Sequence, residues 1–191
     1  NTDFHVIAAS INSSDTATTW LDFVENTQNA GGANNNVNKY MPKQLQFGGW
    51  QSKSEYSTGE IAEFVAFNQV LSEEVRKKVE GYLAHKWSLN TTLPSGHDYQ
   101  FDSPTDWVPS SESTLQAWFD ANDSSTIVSN FVKEWRDSAN GNVFLQEEIS
   151  SRPEYLENGI NEMPAVNFDG IESFLEISTR FGLNKNPDLM V

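Results

Sequence analysis

The chain has 191 residues, 37% of them hydrophobic, with six Trp, twelve Phe and no Cys. That is enough apolar material for one or two folded domains, and it excludes a disulfide framework or a thiolate metal site. Twelve basic against 27 acidic residues leave a net charge of −15, a surface that repels phosphate backbones and anionic lipid, so no nucleic acid partner and no membrane insertion are expected.

In chain order, residues 4–11 form an apolar run with a small-residue middle and read as a buried strand. Residues 16–24, with Trp20, Leu21 and Phe23, continue as strand. Residues 26–38 are rich in Asn and Gly and are expected to be a surface loop. Residues 45–50 read as a strand ending at Gly48-Gly49, and residues 51–58 as a polar loop. Residues 60–68 put Ile61, Val65 and Phe67 on one face and Ala62, Phe64 and Ala66 on the other, so the spacing predicts a single strand buried on both faces.

A helix follows. Ser72 offers an N-cap hydroxyl, Glu73 and Glu74 place negative charge in the first turn, and Val75, Val79, Tyr82, Leu83 and Trp87 recur at helical spacing. Together they predict an amphipathic helix at about 72–88. Residues 90–101 read as an irregular tail, and 102–113, with Pro104, Pro109 and several Ser, as a linker or exposed connection.

The ordered series Gly59-Glu60-Ile61-Ala62-Glu63, Leu71-Ser72, Gly81-Tyr82-Leu83-Ala84-His85-Lys86-Trp87 and Leu93-Pro94-Ser95-Gly96-His97 resembles the closing signature of concanavalin A-like, laminin G-like jelly-roll modules of large secreted bacterial proteins. Beyond the linker, the runs 115–123, 134–142, 152–155 and 165–170 look like the opening half of such a module. The resemblance implies an all-β fold, an antiparallel two-sheet jelly-roll sandwich carrying the one helix. It divides the chain into a closing half at 1–103, a linker at 104–113 and an opening half at 114–191.

Two arrangements account for that reversed order. The chain is either an excerpt across two tandem repeats, with any export signal elsewhere, or a circularly permuted module whose halves close on each other. The family's middle strands have no counterpart here, which favours the tandem excerpt. A half-module cannot bury a sheet face alone, so pairing within the chain, self-association or strand exchange is expected.

Glu60 and Glu63 invite comparison with glucanases of the same fold, whose paired carboxylates stand about 5 Å apart. Three residues apart on one strand, they point to opposite faces and do not form that pair. Glu63 is expected to be held by a salt bridge to the helix or the tail. His5, His85 and His97 show no metal-ligand spacing, and there is no Gly-x-Ser-x-Gly elbow. Asp120, Asp123, Asp137 and Asp169 lie in Asp/Asn/Gly-rich loops that either hold turns or ligate calcium, although none has the spacing of an EF-hand. Among the six Trp, Trp50 and Trp107 are the pair expected at the surface, as aromatic platforms for a sugar ring.

The resemblance implies a non-catalytic carbohydrate-binding or adhesion module of an extracellular multidomain protein, and the residues add only that the expected catalytic constellations are missing. It would be secreted or at a bacterial cell surface, with a glycan or a cell-surface protein as partner and calcium as the candidate cofactor. A glycoside hydrolase or polysaccharide lyase on the same fold, and a structural spacer repeat, are the alternatives.

Overall fold

The computed structural model describes residues 4–11, 16–29, 45–50, 55–177 and 189–190. It divides the chain into two compact units, one gathering residues 1–41, 66–115 and 183–191, the other 42–65 and 116–182. The strand pairs whose register is defined are all antiparallel.

In the first unit, β1 (Ile7–Ile11), β2 (Thr16–Leu21) and β3 (Val24–Asn29) form a meander. Asp22 and Phe23, at φ 48° and 69°, reverse the chain in two residues, so that Leu21 faces Val24 and Thr16 faces Asn29. This corrects the expected loop at its near end, because residues 26–29 are strand; residues 30–38 lie outside the described part. Asp22 fixes the turn by accepting the Val6 N–H at 3.1 Å and bonding His5 Nδ1 at 2.7 Å. On the other side of β1 lies β16 (Leu189–Met190), whose Met190 also pairs with Phe67.

The helix of this unit, α1 (Glu73–Lys86), starts where the sequence places it, with Ser72 Oγ accepting the Val75 N–H at 3.3 Å. Lys77–Glu73 and Lys78–Glu74 are i,i+4 ion pairs on its outer side. Its most buried residues are Glu80, Gly81 and Ala84, continuing to Trp87, while Val75, Val79, Tyr82 and Leu83 are half-buried. The expected apolar stripe is therefore rotated toward a face that includes a carboxylate. Arg76 pairs with Glu80 Oε1 and lies 5.1 Å over the Trp20 ring, and His97 Nε2 meets Glu80 Oε2 at 3.0 Å. His97 Nδ1 accepts the Tyr99 N–H, so Nε2 carries the hydrogen given to Glu80. Gly81 leaves room for the Tyr99 ring, and His85 Nε2 bonds the Tyr99 carbonyl at 2.8 Å. Residues 97–99 are thus strapped to the helix by polar contacts.

In the second unit, a five-stranded sheet runs β10 (Ile127–Val128), β11 (Glu134–Arg136), β12 (Val143–Leu145), β15 (Leu175–Ile177), β4 (Leu45–Phe47). A three-stranded sheet runs β13 (Glu154–Leu156), β14 (Ala165–Asp169), β7 (Thr58–Ile61). Short β5 (Gly49–Trp50) and β6 (Glu55–Tyr56) pair as a hairpin. The expected strand at 45–50 is thus interrupted at Gly48, where φ is 82° and a Cβ would fall 2.6 Å from the Ser173 carbonyl and against the Phe168 ring. The expected polar loop at 51–58 is shortened, since 55–56 and 58 are strand and 51–54 lie outside the described residues.

The single strand expected at 60–68 is two. Residues 58–61 belong to the sheet of β14, the chain bends at Ala62, and β8 (Glu63–Phe67) lies beside β9 (Leu115–Asp120). The bend is held by Ala121 N–H donating to the Ala62 carbonyl at 2.9 Å. A strand that changes sheets in this way meets different neighbours before and after the bend, so both of its faces are apolar without one sheet covering both. Facing strands close on an aromatic core: Phe119 lies 4.6 Å from Phe144 and 5.7 Å from Trp135, and Phe47 lies 4.3 Å from Phe144 and 5.1 Å from Phe64. Phe119, Phe144 and Trp135 are fully buried. The described residues are therefore β-rich, with several antiparallel sheets and one α-helix.

Candidate functional site

The aspartates singled out in the sequence all fall in the second unit, each at a turn. Asp137, only 9% exposed, accepts the N–H groups of Trp118, Ala139, Asn140 and Asn142 and the Asn142 side-chain amide. Asp169 accepts three N–H groups, from Ile171, Glu172 and Ser173, and the Ser173 hydroxyl. Burial pushes its carboxyl up, but those N–H donors and the hydroxyl outweigh it and hold the pKa at about 2. Asp120 accepts the Asn122 N–H at 2.9 Å, and Asp123 caps the short helix at 124–126 through the Ser125 N–H and hydroxyl. Among the described residues, no three His, Asp or Glu gather into a group able to hold a metal ion.

Trp107 is not at the surface as expected. It is 8% exposed, its Nε1 donates to Glu112 Oε1 at 2.8 Å, and its ring packs edge-on to Tyr82 at 5.9 Å. Pro104 and Pro109 are buried with it, so the Pro/Ser-rich connection is packed rather than free. The side chain of Trp50 lies outside the described part. Glu63 Oε1 accepts the Trp118 indole N–H at 2.6 Å. Glu60 Oε2 is buried without a hydrogen-bond partner among the described residues, close under Gly159. The two glutamates therefore have different neighbours. His85 and His97 serve packing and hydrogen bonding in the first unit.

Sequence reasoning missed an open hollow of about 490 Å³ in the second unit, lined by Asn130, Tyr155, Leu156, Glu157 and Asn158. It forms where residues 129–132 run against 153–155: Tyr155 N–H donates to the Asn130 carbonyl at 2.7 Å, Phe131 bridges to Glu154, and Val132 N–H donates to the Pro153 carbonyl at 2.8 Å. Phe131, adjoining Asn130, leaves 59% of its surface exposed. The loop beyond Asn158 is tight. Gly159 N–H donates to the Met163 carbonyl at 2.9 Å, and a Cβ on Gly159 would meet Ala165 Cβ and Glu60 Oε2, each at 2.8 Å.

Two side-chain amides, a carboxylate, a phenol ring and an aliphatic side chain in one open hollow suit a ligand that both donates and accepts hydrogen bonds and has a partly apolar face. The Tyr155 hydroxyl is tied to the Ala121 carbonyl at 3.0 Å, and its pKa is raised first by burial and then by Glu157, Asp120 and Asp123. In the sequence, the signal was only the Asn-Gly pair 158–159 and the Asn130-Phe131 pair, both of which read as ordinary turn chemistry. No family model, no curated protein and no solved structure matches this chain.

Proposed function

We propose that this chain is a non-catalytic carbohydrate-binding or adhesion module of an extracellular bacterial multidomain protein, built as a concanavalin A-like jelly roll whose closing half precedes its opening half. The observation that carries the binding reading is the hollow of Asn130, Tyr155, Leu156, Glu157 and Asn158, whose mixed amide, carboxylate and ring surface matches the donor–acceptor pattern of a sugar. The jelly-roll reading is supported by antiparallel strands around a shared aromatic core, and the permuted arrangement by the pairing of β7 with β14 and of β4 with β15. Those pairs join residues from either side of 104–113 within one unit.

The test is a glycan array probed with the whole chain, with and without chelator, beside Asn130→Ala and Asn158→Ala. Retained binding to at least one oligosaccharide class, lost in either variant, is the expected outcome. Cleavage of a polysaccharide by the unmodified chain would favour the hydrolase or lyase alternative, and neither binding nor cleavage would leave a spacer.

A further inference from the structure

We infer that the hollow of the second unit selects amino sugars of the glucosamine type, which carry an ammonium among their hydroxyls, over N-acetylated and uronic-acid sugars. This rests on the carbohydrate-binding reading above and adds the charge of the ligand to it.

The walls carry negative charge, and among the described residues no Lys or Arg lines the hollow. Neither 116–132 nor 153–177 contains a Lys or Arg. The nearest basic residues along the chain are engaged elsewhere: Lys133 Nζ lies 3.5 Å from Glu147 Oε2, and the Arg152 guanidinium donates to the Gln146 and Glu147 carbonyls, each at 3.0 Å. Glu157 lines the hollow, and Glu154 is paired across from Phe131 at its side. The bond from the Tyr155 hydroxyl to the Ala121 carbonyl brings that ring to the turn between Asp120 and Asp123. Behind Asn158, the buried Glu60 Oε2 comes up against Gly159. The upward push of Glu157, Asp120 and Asp123 on the Tyr155 phenol, second to that of burial, reports the same negative field.

A uronic acid brought here meets like charge, whereas an N-acetyl group meets carboxylates with nothing to pair them. An ammonium pairs with them, while Asn130 and Asn158 remain for the ring hydroxyls.

Calorimetric titration of the whole chain at about pH 6, where carboxylates are ionised and a glucosamine amine is protonated, tests this with three probes: a glucosamine oligomer, the N-acetylglucosamine oligomer of the same length, and an oligogalacturonate. The glucosamine oligomer should bind at least about threefold more tightly than its N-acetylated counterpart, in keeping with a partly exposed charge pair, and the oligogalacturonate weakest. Glu157→Gln should bring the ratio close to one. Glu172→Gln, an equal change in net charge outside the hollow, should leave it in place. Equal affinity of the unmodified chain for both oligomers, a preference indifferent to Glu157→Gln, or equal losses in the two variants would overturn the selectivity and leave the carbohydrate reading standing. Absence of binding to all three oligomers would overturn the selectivity, and together with a blank glycan array it would overturn both.

Discussion

Asp137 occupies a nearly closed site in which one side chain organises a turn and ties it to a strand. Its carboxylate meets four backbone N–H groups and an amide, one of the N–H groups belonging to Trp118 in β9. Replacing it with Ala strands several of these donors at once, and each stranded buried donor costs about 1–3 kcal/mol before relaxation. Asp137→Ala should therefore lower unfolding free energy in urea by about 3 kcal/mol, with little change in the denaturant slope. The lone pairs so occupied also bear on calcium. Millimolar calcium should leave the melting temperature unchanged, because a cation must displace these donors to bind; a rise of several degrees would assign an ion to these loops.

Asp169 gives a signed dependence on pH. Its folded-state pKa of about 2 lies below the unfolded value, so it contributes stability above the unfolded pKa and loses it as pH falls through about 2. Denaturant unfolding at intervals from about pH 5 down to about pH 2 should show the native chain losing more stability than Asp169→Asn, the two curves converging at the acid end. Parallel curves would remove Asp169 from the acid response.

At the scale of elements, α1 shows a conflict between local preference and packing. Ala is favoured over Gly inside a helix by about 1 kcal/mol, yet a Cβ on Gly81 would come within 2.5 Å of Tyr99 Cβ. Gly81→Ala should destabilise by about 1–3 kcal/mol despite the gain in propensity, as read from thermal unfolding. Arg76→Ala should cost about 3 kcal/mol, since it leaves the carboxylate of Glu80, 3% exposed, without its cation and uncovers Trp20.

The beginning of this helix was legible because Ser72, Glu73 and Glu74 act within one turn of the residues they stabilise. The orientation of its buried face was not, because it depends on His97 and Tyr99, which return from beyond the helix. The same limit applies to 58–67. Apolar residues on both faces are common to a central strand and to one that bends between two sheets, and only the distant partners, β14 for one part and β9 for the other, tell them apart. Trp107 was misplaced for a related reason: Pro and Ser around it report turn chemistry, while its burial is set by Tyr82 and Glu112. The hollow was invisible because its walls, 129–132 and 153–158, meet only through strand pairing.

At the scale of the whole molecule, the decisive fact is that β7 and β4 find their partners in β14 and β15. Alone, residues 1–103 would leave Thr58–Ile61 and Leu45–Phe47 without these neighbours, and residues 114–191 would leave β14 and β15 with open edges. Backbone groups on an open edge and an uncovered aromatic face both favour association over independent folding. Neither fragment should therefore give a dispersed amide spectrum by itself, while an equimolar mixture should recover the dispersion of the intact chain. Recovery is expected because the pairing is non-covalent and the connection at 104–113 contributes mainly the entropy of closing a loop, which grows slowly with its length. Should residues 1–103 fold alone with Glu60 and Ile61 protected from hydrogen exchange, the pairing with β14 would not be what holds that strand, and the permuted arrangement would give way to the tandem one.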